Sequence, residues 1–261
     1  MVNVSIALGG LVGVVLSAGF LWWEVGRYAA PQVPVSVFDE RKVLAAYTVG
    51  LFVGVPIAAA YLLLVASVAN GALPGAALFL GGLVVGAEVS QLLLARSRYW
   101  GASPAVPFYA ASFRAGIGGI LALAAVAAYL GGATTPTVLG IGTALLTALA
   151  LVALEVAGGL LSVRARSPAA ARVGGPLPGA LFGAVAFFLL ALGPSAGPVG
   201  ALAAPLVVTG GAALTYRGRR AILAEVPPPT GAAPLEDEAR PRSYGRNAPL
   251  PSAERHESDR R

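Results

Sequence analysis

Two glutamates stand where a carboxylate is hardest to keep. Glu88 lies inside the apolar run GAALFLGGLVVGAEVSQLLLA that follows Pro74, and Glu155 lies inside a second apolar run that follows Pro136. Each run closes on an Arg-x-Arg pair, Arg96 with Arg98 and Arg164 with Arg166. A charge in the hydrocarbon of a bilayer costs about 3 kcal/mol or more, so it is normally turned inward or towards water. Glu88 precedes Arg96 by eight residues and Glu155 precedes Arg164 by nine. At the rise of a helix these are depths of about 12 and 13 Å from the basic edge.

The two runs point the same way, so their carboxylates share one level. Facing each other, they would hold a proton between them, because two close carboxylates do not both ionise cheaply. Gln91 is three residues after Glu88 and shares its helix face. Ser90 on the first run, with Thr143 and Thr147 on the second, adds polar groups. The expected site is therefore a proton or cation site of Glu88, Glu155, Gln91 and Thr147. The plainer reading has each glutamate protonated, or bonded to a nearby hydroxyl or backbone group, with no task beyond helix packing. No third charge inside the bilayer completes a relay in this reading.

Other chemistries lack their residues. The chain has no cysteine, and its one histidine, His256, lies near the C-terminal end. Thiolate chemistry is excluded, and histidine metal sites and Ser-His catalysis have no histidine to use in the apolar runs. Asp39, Asp237 and Asp259 are the only aspartates, so no paired aspartate motif exists for magnesium. Lys42 is the sole lysine and sits in the sequence DERK, which is no phosphate-binding loop. It also leaves the last apolar run without the lysine a retinal Schiff base would need. No metal and no cofactor is expected, and the balance leans away from an enzyme.

The elements that would carry these side chains are membrane spans. Of 261 residues, 57% are hydrophobic and 11% charged, against roughly 25% charged in soluble domains. The mean hydropathy is +0.77, and a bilayer core takes about 20 residues of helix. Seven runs fit: Val4 to Trp23, Val43 to Val68, Pro74 to Ala95, Ala115 to Leu130, Thr137 to Val163, Leu177 to Leu192 and Val199 to Tyr216. No positive charge precedes the first run, so it reads as an uncleaved span rather than a signal peptide. Trp22 and Trp23 at its end fit an interfacial aromatic belt. Ser36 to Asp39 has capping-box spacing ahead of the second span. Pro56 and Pro205 interrupt the second and seventh spans. The stretch YWGASPAVPFYAASF between Arg98 and Arg114 has no periodic face and reads as an interfacial loop.

Charge sets the orientation. Three basic residues follow the first span (Arg27, Arg41, Lys42), three the third (Arg96, Arg98, Arg114) and three the fifth (Arg164, Arg166, Arg172), with nine from Arg217 onward. The other gaps have none. Short loops rich in Lys and Arg stay in the cytoplasm, so the N-terminus lies outside and the C-terminus inside. The expected fold is an all-α polytopic bundle of seven transmembrane helices over residues 1–216, in the cell membrane. Residues 217–261, charged and proline-rich, are expected to form a disordered cytoplasmic tail.

Several further patterns carry two readings. The glycine pairs Gly9/Gly13, Gly50/Gly54, Gly82/Gly86 and Gly179/Gly183 suit close helix approach, within one chain or in a homo-oligomer. Pro74, Pro136 and Pro198 recur every 62 residues, which would suit three helical hairpins from one duplicated unit. Arg217, Arg219 and Arg220 would touch anionic lipid, or serve as an ordinary cytoplasmic stop signal. The basic residues form no stripe interleaved with aromatics, so nucleic acid is not a partner; the lipid bilayer is, with a membrane-protein partner or a second copy open.

Three functions remain. The leading one is a non-catalytic structural or accessory membrane component. The alternatives are a small proton-coupled secondary transporter using Glu88 and Glu155, and, weakest, a membrane-embedded lipid-modifying enzyme.

Overall fold

The computed structural model describes residues 2–25, 38–100, 105–130, 137–164, 177–196 and 198–225. Within them the chain is all-helical, with seven helices and no strand. They are α1 (Val2–Val25), α2 (Glu40–Ala69), α3 (Leu73–Arg96), α4 (Val106–Leu130), α5 (Val138–Arg164), α6 (Leu177–Ala196) and α7 (Pro198–Glu225). Four of them, α2 to α5, contain segments long and apolar enough to cross a membrane. Shorter apolar stretches, Ala7–Trp23 and Ala180–Gly193, lie in α1 and α6. Helices suit such a setting because every backbone hydrogen bond stays within the segment.

Local chemistry sets several of the ends. Asp39 caps α2, its carboxylate accepting from the Arg41 backbone N–H at 2.9 Å. Ser36 of the expected capping box lies outside the described residues. Asn70 and Gly71 turn the chain from α2 into α3, with Gly71 at φ +68°, a conformation only glycine takes freely. Pro74 sits in the first turn of α3, where its missing N–H costs nothing. Pro198 opens α7, while Pro136 is outside the described residues. Pro56 and Pro205 both lie inside continuous helices.

One expected boundary moves inward and another outward. Val106 to Arg114 is not an interfacial loop but the first third of α4. Pro107 is tolerated in that first turn, and Phe108, Tyr109 and Phe113 bury their rings in the core instead of lying at an interface. Phe38 stacks on Tyr109 with centroids 6.2 Å apart and meets Phe108 edge-on at 6.1 Å. At the other end α7 runs past Tyr216 to Glu225, so Arg217, Arg219 and Arg220 lie on its last turns rather than in a tail. Residues 226–261 lie outside the described residues.

The bundle is organised around α4, in which every residue from Phe108 to Gly119 is buried. It packs against α5, α2 and α1, and each seam closes on glycine. A Cβ on Gly13 would stand 2.2 Å from the Gly119 carbonyl oxygen, one on Gly50 2.0 Å from that of Phe113, and one on Gly116 2.3 Å from that of Tyr47. Towards α5, a Cβ on Gly159 would meet Ala111 Cα at 2.8 Å, and one on Gly118 would meet Val152 Cα at 3.0 Å. The pairs Gly9/Gly13 and Gly50/Gly54 are thus spent on packing within the chain. Gly82 and Gly183 have open space beyond them.

Candidate functional site

Arg114 lies eight residues into α4 from Val106, with its side chain 4% exposed. The close α4–α5 seam, made by Gly118 and Gly159, brings Glu155 beside it. Arg114 Nη1 donates to Glu155 Oε2 at 2.8 Å, and Nη2 donates to Glu88 Oε1 at 2.5 Å. The third direction of the guanidinium is also used, since Nε donates to Gln91 Oε1 at 2.7 Å. Gln91 in turn donates through Nε2 to the Gly159 carbonyl at 3.0 Å, so α3 is tied to both α4 and α5. Gly158 lies beside the guanidinium: a Cβ there would stand in ordinary van der Waals contact, 3.7 Å from Arg114 Cζ.

The depths agree with this meeting. Glu88 is eight residues from the Arg96 end of α3, Arg114 eight from the Val106 end of α4, and Glu155 nine from the Arg164 end of α5. All three therefore sit about 12 to 13 Å in from one face. Contacts place the end of α3 and the starts of α2 and α4 on one face: Trp100 Nε1, just beyond α3, donates to the Lys42 carbonyl at the start of α2 (3.2 Å), and the Asp39 N–H donates to Tyr109 at the start of α4 (3.1 Å).

Two carboxylates surround one guanidinium, so the group carries one negative charge more than it neutralises when both are ionised. The carboxylates are not equivalent. Glu155 is 1% exposed and enclosed, whereas Glu88 is 27% exposed. Glu88 faces an open-mouthed recess of about 40 Å³ lined by α3, α4, α5, α6 and α7. Besides the three charged groups the recess is apolar, with Leu154, Phe182, Phe187 and Leu214 in its walls.

No protein-family model, no curated protein and no solved structure matches this chain. The site must be read from its own geometry.

Of the residues singled out in the sequence, Glu88, Glu155 and Gln91 converge here and Thr147 does not. Thr147 lies two turns from Glu155 along α5 and donates instead to the Tyr129 hydroxyl at 3.4 Å. Thr143 bonds the Leu139 carbonyl and Ser90 that of Ala87, each within its own helix. Arg217 is exposed on α7, and the side chains of Arg219 and Arg220 lie outside the described part of the structure. The residue sequence reading missed is Arg114, which it placed in a loop. A signal existed: the expected fourth span was only 16 residues long, and the stretch before Arg114 was apolar enough to complete it. Two buried carboxylates at one level also demand a cation.

The arrangement sets two carboxylates against one guanidinium. It is poorly suited to bond cleavage. Among the described residues no serine or threonine hydroxyl is hydrogen-bonded to Glu88 or Glu155, and no three His, Cys, Asp or Glu side chains form a metal-ligand set.

Proposed function

We propose that the chain is a seven-span protein of the cell membrane, N-terminus outside and C-terminus cytoplasmic, acting as a small proton-coupled secondary transporter. The observation that carries the reading is the second carboxylate. A clamp between helices needs one glutamate for one arginine; here Glu88 adds an excess charge and faces the recess. A net charge in apolar surroundings is costly, and a proton is the smallest thing that cancels it. Orientation is supported by Arg41, Lys42, Arg96 and Arg98, which all stand at the face shared by the starts of α2 and α4 and the end of α3.

A second reading, the structural or accessory component, is favoured by the way Arg114 and Gln91 bind three helices together. The lipid-modifying enzyme gains no support from the hydroxyls described above. Infrared difference spectroscopy across a pH titration separates the first two. A protonated-carboxyl band that appears on acidification and vanishes in Glu88→Gln supports the proton site. No titrating carboxyl band in the folded protein leaves the clamp reading in place.

A further inference from the structure

We propose that the recess beside Glu88 binds a small organic monocation, an alkyl- or arylammonium, which takes the charge-balancing place of a proton. The inference rests on the proton-site reading and names the substrate class of that same site.

Charge sets the sign of the ligand. Arg114 contacts one oxygen of each carboxylate and neutralises one of the two, so an anion entering the recess would add to an existing negative excess. A neutral solute would leave that excess uncompensated. A monocation removes it, and Glu88 is the carboxylate it can reach.

The walls set the chemistry. Hard inorganic cations are held by several oxygen ligands at once, about six or more for calcium and magnesium. Between Leu154, Phe182, Phe187 and Leu214 the recess offers one accessible carboxylate and no ring of oxygens. Apolar walls that include two phenylalanine side chains suit an ammonium carrying its own hydrocarbon. Space is available as well, because a Cβ on Gly183, which lines the recess, would meet no heavy atom within 4 Å. Glu88 cannot hold a proton and an ammonium on the same charge, so each displaces the other. That competition is what coupled exchange requires.

The test is equilibrium binding of radiolabelled benzyltrimethylammonium to the full chain in phosphatidylglycerol nanodiscs between pH 5 and 9. Affinity is expected to rise up to tenfold per pH unit while the proton competes, and then to level. Glu88→Gln should abolish binding. Two variants leave the ion triad intact: Gly183→Leu, which fills the recess, should cost at least tenfold, and Phe182→Ala about threefold to tenfold. Affinity independent of pH, equal binding of the neutral analogue neopentylbenzene, or displacement by millimolar sodium at constant ionic strength would each overturn the proposal. Repeating the titration with phosphatidylethanolamine present identifies the source of the ammonium: weakened probe binding points to a lipid headgroup and unchanged binding to a free solute, and both uphold the cation site. A Glu88-dependent carboxyl band without pH-dependent probe binding sinks the cation proposal and leaves the proton site standing. Loss of both sinks the two together.

Discussion

Gln91 holds Arg114 in place from two sides, accepting its Nε–H at 2.7 Å and donating to the carbonyl of Gly159 on the next helix at 3.0 Å. Both residues are buried, at 1% and 4% exposure, so neither can turn to water if the pair is broken. Gln91→Leu should therefore lower stability by about 1 to 3 kcal/mol, the cost of leaving a buried donor unsatisfied. Thermal unfolding in detergent measures this, and an unchanged midpoint would mean the guanidinium finds a replacement partner.

Arg114→Met should be the most damaging single change in the site. It leaves the buried Glu155 and the partly exposed Glu88 without their cation, a loss of about 3 to 5 kcal/mol. Adding Glu88→Gln and Glu155→Gln to the same chain removes the uncompensated charges and should recover most of that loss. A triple variant no more stable than Arg114→Met would show that packing, not charge, dominates there.

The glycine seams give a paired expectation. Gly116→Ala places a Cβ 2.3 Å from the Tyr47 carbonyl oxygen, so α2 and α4 must separate, at about 1 to 3 kcal/mol. Gly82→Ala meets nothing within 4 Å and should be neutral or slightly stabilising. Equal effects at the two positions would contradict the packing described for α4.

Tyr61 carries a fully buried hydroxyl with no hydrogen-bond partner among the described residues. Tyr61→Phe removes that orphan and keeps the ring, so stability should rise by about 1 kcal/mol. A clear loss of stability would reveal a partner, such as an internal water, that the hydroxyl needs.

Orientation can be read directly because the chain contains no cysteine. Asn70→Cys, in the exposed turn between α2 and α3, should react with an impermeant maleimide from outside intact cells. Ser252→Cys should react only after permeabilisation. The reverse pattern would invert the orientation, and labelling of both from one side would change the number of spans after α2.

Much of the helical plan was legible because apolar runs of this length have few other uses. Val43 to Val68 was expected and Glu40–Ala69 is found; Leu177 starts the sixth helix in both. The level shared by Glu88 and Glu155 was legible too, since it follows from counting residues to a basic edge. Arg114 was not. An arginine after an aromatic, proline-bearing stretch looks like a loop residue, and only tertiary packing shows that Phe108, Tyr109 and Phe113 are core. Thr147 illustrates the opposite failure. Eight residues along a helix restore the face but add about 12 Å of depth, which puts its hydroxyl beyond reach of Glu155.

The place of Arg114 a third of the way along α4 bears on how the chain is made. A segment handed to the bilayer with a lone arginine is disfavoured, by up to about 2.5 to 3.5 kcal/mol where the charge is central. The order along the chain offsets this: α3 leaves the ribosome first, bringing Glu88 and Gln91, and α4 follows with their partner before Glu155 has been synthesised. The two helices can thus leave the translocon as a charge-paired hairpin, with α5 joining a bond already half formed.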